Sequence, residues 1–163
     1  MDLMYLPFDR FNPSIKVSNK EISEDIELRL VDYSEESEFN DKLNIHTKVF
    51  VPNYDLKEHI NSLKTSYKEG NGFGVFLYID GALAGALDVE RTNDFVYILN
   101  FGIVPELRGK GLGKKFLTES LNIVKDKMSS KFEGIYLLVS RKNKTAKNIY
   151  DSLGFEVKNW KIT

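Results

Sequence analysis

Apolar positions recur along this chain in two periods, and the switches between them predict its elements. Ile26 to Val31 sets Ile, Leu and Leu against Glu and Arg, the alternation of a half-buried strand. From about Glu35 the period lengthens. Phe39, Leu43, His46 and Phe50 fall on one helical face, with Glu35 and Glu36 near its positive end and Pro52 as its stop. Asp55 and Glu58 form an Asp-x-x-Glu pair at a second helix start, where each side chain can accept from a backbone N–H. Leu56, Ile60, Leu63 and Tyr67 line that helix, and Gly70 closes it.

Phe73 to Ile79 then reads as a strand, and Asp80-Gly81 as a two-residue hairpin turn. Ala82 to Arg91 returns, Thr92-Asn93-Asp94 turns again, and Phe95 to Val104 runs back, which makes an antiparallel meander. A long helix over Leu112 to Met128 shows Phe116, Leu117, Leu121, Val124 and Met128 on one side. A strand over Ile135 to Val139, a short helix over Thr145 to Leu153 stopped by Gly154, and a strand over Phe155 to Trp160 complete the chain. This order predicts an α/β fold of the α+β type, a mixed, mostly antiparallel sheet flanked by helices. Residues 1–25 hold Tyr5, Pro7, Phe8, Phe11 and Pro13 without periodicity and read as an irregular N-terminal arm, leaving 26–163 as a single domain.

Composition adds little until it is divided. The 163 residues carry a net charge of −1, which gives no general reason to expect a nucleic-acid or membrane-surface partner. Residues 1–100, however, hold 10 basic and 18 acidic side chains, and residues 101–163 hold 13 and 6. Cysteine is absent, which removes thiolate metal sites and any acyl-cysteine intermediate, and two histidines leave a multi-His metal site out of reach. Met1 to Arg10 lacks a basic segment followed by an apolar run, and no apolar stretch approaches the ~18 residues that cross a bilayer, so a cytoplasmic location is expected.

The basic half contains the most informative segment, Val104-Pro105-Glu106-Leu107-Arg108-Gly109-Lys110-Gly111-Leu112-Gly113-Lys114-Lys115. It follows a strand and opens a helix. Its glycines let backbone N–H groups approach a ligand, and a helix start favours an anion, usually phosphate. Arg108, Lys110, Lys114 and Lys115 add charge. The Walker pattern fails, because Arg108 stands where its first Gly belongs and Lys115 where Ser or Thr belongs. The dinucleotide fingerprint fails too, since the third Gly is Lys114 or Phe116 in either register. Gly70-Asn71-Gly72-Phe73-Gly74 lacks the third Gly of a kinase loop and reads as a turn before a strand.

What remains, Arg-x-x-Gly-x-Gly at Arg108, Gly111 and Gly113, resembles the pyrophosphate loop of the GNAT superfamily of acyl-CoA-dependent N-acetyltransferases. Asn143, Ala146, Tyr150 and Leu153-Gly154-Phe155 resemble that family's C-terminal helix motif, and the element order from Ile26 to Trp160 matches its fold. The resemblance implies transfer of an acetyl group from acetyl-CoA to a primary amine by direct attack in a ternary complex. Backbone groups of Gly102, Ile103 and Val104 would pair with the pantetheine arm. Arg108, Gly109, Lys110, Gly111, Leu112, Gly113 and Lys114 would hold the pyrophosphate, Asn143 the arm or the acceptor region, and Tyr150 would protonate the leaving thiolate. Read alone, Tyr150 is a buried aromatic, Asn143 a helix cap, and Lys114, Lys115 and Lys147 are solvated charge.

The family often places a carboxylate where this chain has Ile98 and Leu138. A three-residue loop at 92–94 would set Asp88 opposite Ile98, with Glu90 on the same face, so Asp88 or Glu90 is the expected amine-binding group or base. A solvated strand face is the alternative for both, and His46 and His59 read as a packed helix residue and a surface residue. The expected partners are acetyl-CoA and an amine-bearing acceptor, with no metal, nucleic acid or membrane, acting as monomer or homodimer. A non-catalytic acyl-CoA-binding module on the same fold is the competing function.

Overall fold

The computed structural model describes residues 1–11, 25–50 and 55–158. Seven strands form one sheet: β1 (Asp2–Pro7), β2 (Ile26–Leu30), β3 (Gly72–Ile79), β4 (Ala82–Arg91), β5 (Val96–Ile103), β6 (Gly134–Val139) and β7 (Glu156–Lys158). Their order across the sheet is β2-β3-β4-β5-β6-β1-β7. Every pair is antiparallel except β5 with β6, which run parallel. Helices α1 (Glu36–Val49), α2 (Leu56–Lys68), α3 (Leu112–Met128) and α4 (Lys144–Ser152) connect them, with a 3₁₀ turn at Pro105–Leu107. Phe116, Leu117, Leu121 and Val124 of α3 are buried in one cluster with Met4, Leu6, Val89, Val96, Ile135 and Leu137 of the sheet. Burying each such side chain contributes roughly 1.5–3 kcal/mol, so this face carries much of the stability.

Local chemistry sets several boundaries as expected. Asp55 caps α2 by accepting the Glu58 N–H at 3.1 Å. Asp80 and Gly81 take φ of +50° and +81°, the left-handed pair that closes β3 onto β4. The expected stop at Pro52 and the end of the last strand at Trp160 lie outside the described residues.

Three expectations are corrected. Asp2–Pro7 is a strand rather than an irregular arm, inserted between β6 and β7. Its burial alternates, with Met4 and Leu6 in the core and Tyr5 turned to the other face against Tyr136 at 4.5 Å. The buried side of α1 carries Lys42, Ile45 and His46, while Phe39 and Leu43 are half-buried beside Ile60 and Leu63 of α2. The hairpin between β4 and β5 closes one residue tighter than three. Thr92 donates its N–H to the Phe95 carbonyl at 2.8 Å, and its Oγ1 accepts the Asp94 and Phe95 N–H groups. The register therefore places Asp88 opposite Leu99, and Ile98 opposite Val89. Strand pairing puts partners on one face, so Ile98 lies on the opposite side of the sheet from Asp88.

Candidate active site

β5 and β6 separate. They pair at Tyr97 with Tyr136 and Ile98 with Leu137, and no further pair between them follows among the described residues. β5 nevertheless runs on to Ile103, and β6 runs to Val139 against β1. The separation coincides with a bulge. Up to Asp88 the β4–β5 register is continuous from the turn; by Ala86 opposite Gly102 it has slipped one residue, so Leu87 faces both Asn100 and Phe101. Asn100 takes φ of +55°. Val104 donates to the Ala84 carbonyl at 2.9 Å, so alternation along the strand turns the Ile103 N–H and C=O toward the gap. Of the expected triplet, Ile103 faces the gap and the Val104 amide is already bonded within the sheet.

The glycine turn lies at the mouth of this gap. Gly109 and Gly111 have φ of +81° and +80°, and a Cβ at either would meet nothing within 4 Å, so their backbone stands open to solvent. Gly111 is the N-cap of α3, with no side-chain cap. Lys114 and Lys115 occupy the first turn with no acidic residue, the charge opposite to what a helix start favours. Lys115 pairs with Glu119 one turn on at 3.5 Å, and the uncapped helix start with Lys114 beside it favours an anion in front of it. Leu112 is buried beneath the turn and Lys110 is exposed beside it. Gly113 packs instead, a Cβ there reaching Ile149 at 3.4 Å, which brings α3 against α4.

Arg108 acts differently from expectation. Its Nε donates to the Ile103 carbonyl at 3.0 Å and a terminal nitrogen to the Val49 carbonyl at 3.3 Å, so the guanidinium braces β5 against the C-terminal end of α1. Gly102 permits that closeness, since a Cβ there would fall 2.1 Å from Val49 Cγ1. Asn143 caps α4 by accepting the Ala146 N–H at 3.1 Å. Lys147 is not a solvated charge: its Nζ bonds Asp2 at 2.9 Å, and Arg141 bonds the same carboxylate at 2.8 Å. Tyr150 is buried between Phe101 of β5 and Phe155, and burial pushes its phenol up to about 12.

On the opposite face, under α1 and α2, lies a buried polar network. Asp88 Oδ2 meets Lys42 Nζ at 2.8 Å and accepts from Asn100 Nδ2 at 3.0 Å, while Oδ1 accepts from Tyr33 at 2.7 Å. Asn100 Nδ2 also lies 3.1 Å from His59 Nε2. Burial pushes the Asp88 carboxyl up, but the Lys42 charge and the bonds from Lys42, Asn100 and Tyr33 outweigh it and hold it below the ordinary carboxylate range. A sealed carboxylate of that kind is a poor proton acceptor. Asp88 is thus not a solvated strand residue: it is fully buried and already engaged by Lys42, Asn100 and Tyr33. Glu90 is partly exposed and accepts the Tyr97 hydroxyl at 2.7 Å. Gly72 and Gly74 both belong to β3: Gly74 lies in the strand expected from Phe73, and Gly72 opens that strand rather than ending the turn before it. A Cβ on Gly74 would lie 2.6 Å from the Tyr33 hydroxyl and 3.0 Å from Asp88, and one on Gly72 2.7 Å from the Tyr67 ring. The strand is stripped of side chains to admit the network. Lys42, Tyr33 and Asn100 were not readable as site residues; the glycines at 72 and 74 were the available signal.

A sequence profile of the Acetyltransferase (GNAT) family matches residues 35–155. The chain belongs to that family. N-alpha-acetyltransferase 50 of Danio rerio is 32% identical over 77 residues, 47% of this chain and 45% of its own, so the chain spans less than half of that relative's length. The fold is shared with the aminoglycoside N-acetyltransferase AAC(6')-Iy in complex with CoA (TM-score 0.68, 14% identity, covering 86% of this chain and 94% of that one). It is also shared with the ribosomal-protein-S18-alanine N-acetyltransferase from Escherichia coli (TM-score 0.64, 17% identity, covering 80% and 77%).

Proposed function

We propose that the protein transfers an acetyl group from acetyl-CoA to a primary amine by direct attack within a ternary complex. The observation that carries this reading is the parting of β5 from β6 directly before the Gly109–Gly111 turn. An extended, amide-bearing arm fits the Ile103 N–H that strand alternation turns toward the gap, its carbonyl being taken by Arg108, and a pyrophosphate fits the open N–H groups from Gly109 to Lys114. Acetyl-CoA bound there would supply a thioester whose carbonyl carbon the amine attacks and whose thiolate leaves. The amine nitrogen forms the new N–C bond as the C–S bond breaks, and its surplus proton passes to water. Tyr150 donates its hydroxyl proton to the departing sulfur and is reprotonated from solvent. Strand backbone N–H groups facing the gap stabilise the charge that develops on the carbonyl oxygen. Glu90 is the carboxylate left to bind the amine. With no Cys in the chain, transfer through an acyl-cysteine has no nucleophile. We place the enzyme in the cytoplasm as a monomer or homodimer; no helix among the described residues is long and apolar enough to cross a membrane.

The test is acetyl-CoA with a panel of primary amines, comprising peptide N-termini, lysine, polyamines and amino sugars, read by mass spectrometry and by thiol release. Acceptor-dependent release of CoA with an acetylated product is the expected result. Stabilisation by CoA with no product across the panel would replace this reading with a non-catalytic acyl-CoA-binding module, which the apolar Ile98 and Leu138 would suit.

A further inference from the structure

Resting on that acetyl-transfer reading, we propose that the buried Lys42–Asp88 ion pair is a positioning device. Through Asn100 it holds the β5 bulge that turns the Asn100 and Phe101 backbone toward the gap between β5 and β6. Three observations meet at this point. First, the ladder bonds on either side are fixed. Stepping by twos from Thr92 bonded to Phe95, and from Val104 bonded to Ala84, puts the bonded pairs at Asp88 with Leu99 and Ala86 with Gly102. Asn100 and Phe101 fall between them, opposite Leu87 alone, and β6 has already diverged. Their backbone groups therefore belong to the gap, where the thioester carbonyl would develop its charge.

Second, Asn100 pays for this placement with a left-handed backbone, which costs a non-glycine residue roughly 1–2 kcal/mol. Its side chain offsets that cost by bonding Asp88 at 3.0 Å. Third, Asp88 is itself immobilised. Lys42 and Asp88 are both wholly excluded from solvent, Tyr33 holds the second carboxylate oxygen, and β3 carries Gly74 where a side chain would collide with Tyr33 and Asp88. A buried ion pair is weak evidence of stabilisation, since well-packed apolar residues often do as well. Its position under the bulge gives it a use that apolar packing lacks, because only a charged acceptor there fixes the Asn100 amide by a strong, directional bond.

The test is Asn100→Gly, which keeps the left-handed backbone without strain and removes the tie. Steady-state kinetics with an acceptor identified by the amine panel are combined with CoA binding by calorimetry and hydrogen exchange over residues 96–104. The expected result is a fall in kcat of at least about tenfold, below the roughly 100- to 1000-fold for complete loss of an oxyanion donor. CoA affinity and the KM for acetyl-CoA stay within about twofold, and amide exchange accelerates. Asp88→Asn, which keeps shape and the Tyr33 bond but loses the charge, should shift the same quantities in the same direction. Wild-type kcat and wild-type exchange in Asn100→Gly would overturn the proposal. If the wild-type protein acetylates nothing, the acetyl-transfer reading fails separately. Exchange then decides the tie alone: acceleration upholds it and no change overturns it.

Discussion

Lys42 Nζ lies 2.8 Å from Asp88 Oδ2, and neither side chain is exposed to solvent. The pair fastens the middle of α1 to the middle of β4, the strand that carries the candidate site on its β5 side. Removing one partner leaves a buried charge without its counter-ion, at a cost of about 3–5 kcal/mol. Lys42→Met should lower the unfolding free energy by that order in urea titration. Lys42→Met with Asp88→Asn should recover much of the loss, because no uncompensated charge remains and the amide still accepts from Tyr33. A double mutant no more stable than Lys42→Met would show that the pair is not the unit.

His46 gives the fold a pH dependence of defined sign. Burial, followed by the neighbouring Lys42 charge, pulls its imidazole down to about 3, with Asp88 opposing and His59 adding to the fall. The unfolded chain therefore binds a proton near pH 6.5 that the folded chain refuses until about pH 3, and stability falls as pH drops between those values. Each pH unit well inside that window costs about 1.4 kcal/mol. Denaturation at pH 7 and pH 5 should show wild-type protein losing about 2 kcal/mol. His46→Leu should lose much less over the same interval; an equal loss would assign the slope to other groups.

Most local elements were legible in the sequence because their causes are local. Asp55 at a cap, Asp80-Gly81 at a hairpin and Gly109 with Gly111 before α3 each act within a few residues. β1 was not legible, since its partners, Gly134–Val139 and Glu156–Lys158, are more than a hundred residues away and give it order that its own composition does not. Lys42 was illegible for a similar reason. A lysine on a helical stripe reads as solvated until a carboxylate 46 positions later is placed against it. The β4–β5 register turned on a single residue, Thr92, whose hydroxyl and N–H both enter the turn. That one step decided which face of the sheet Ile98 shares, and with it the role expected of Asp88.

Tyr150 should behave as an acid that never ionises in the working range. With its phenol pushed up to about 12, it stays protonated to well above pH 10 and adds no alkaline limb to the rate profile there. Tyr150→Phe should lower kcat by at least roughly 100-fold, the low end of general acid catalysis, with little change in CoA binding. Activity close to wild type in the variant would leave Tyr150 as packing between Phe101 and Phe155.

Gly102 tests whether the brace between β5 and α1 supports the site. A Cβ there would stand 2.1 Å from Val49 Cγ1 and 3.3 Å from the Phe50 ring, with Val49 Cβ at 3.5 Å. Gly102→Ala must therefore push α1 away or shift β5, and either movement stretches the Arg108 bonds to Ile103 and Val49. Overpacking of this kind costs typically about 1–3 kcal/mol, and displacement of Ile103 should weaken CoA binding alongside it. Val49→Ala removes the colliding methyl while keeping the carbonyl that Arg108 needs. The double variant Gly102→Ala with Val49→Ala should then regain both stability and CoA affinity relative to Gly102→Ala, measured by thermal denaturation and calorimetry. Restored stability without restored affinity would mean that the Gly102 backbone itself, and not its packing on α1, governs the gap.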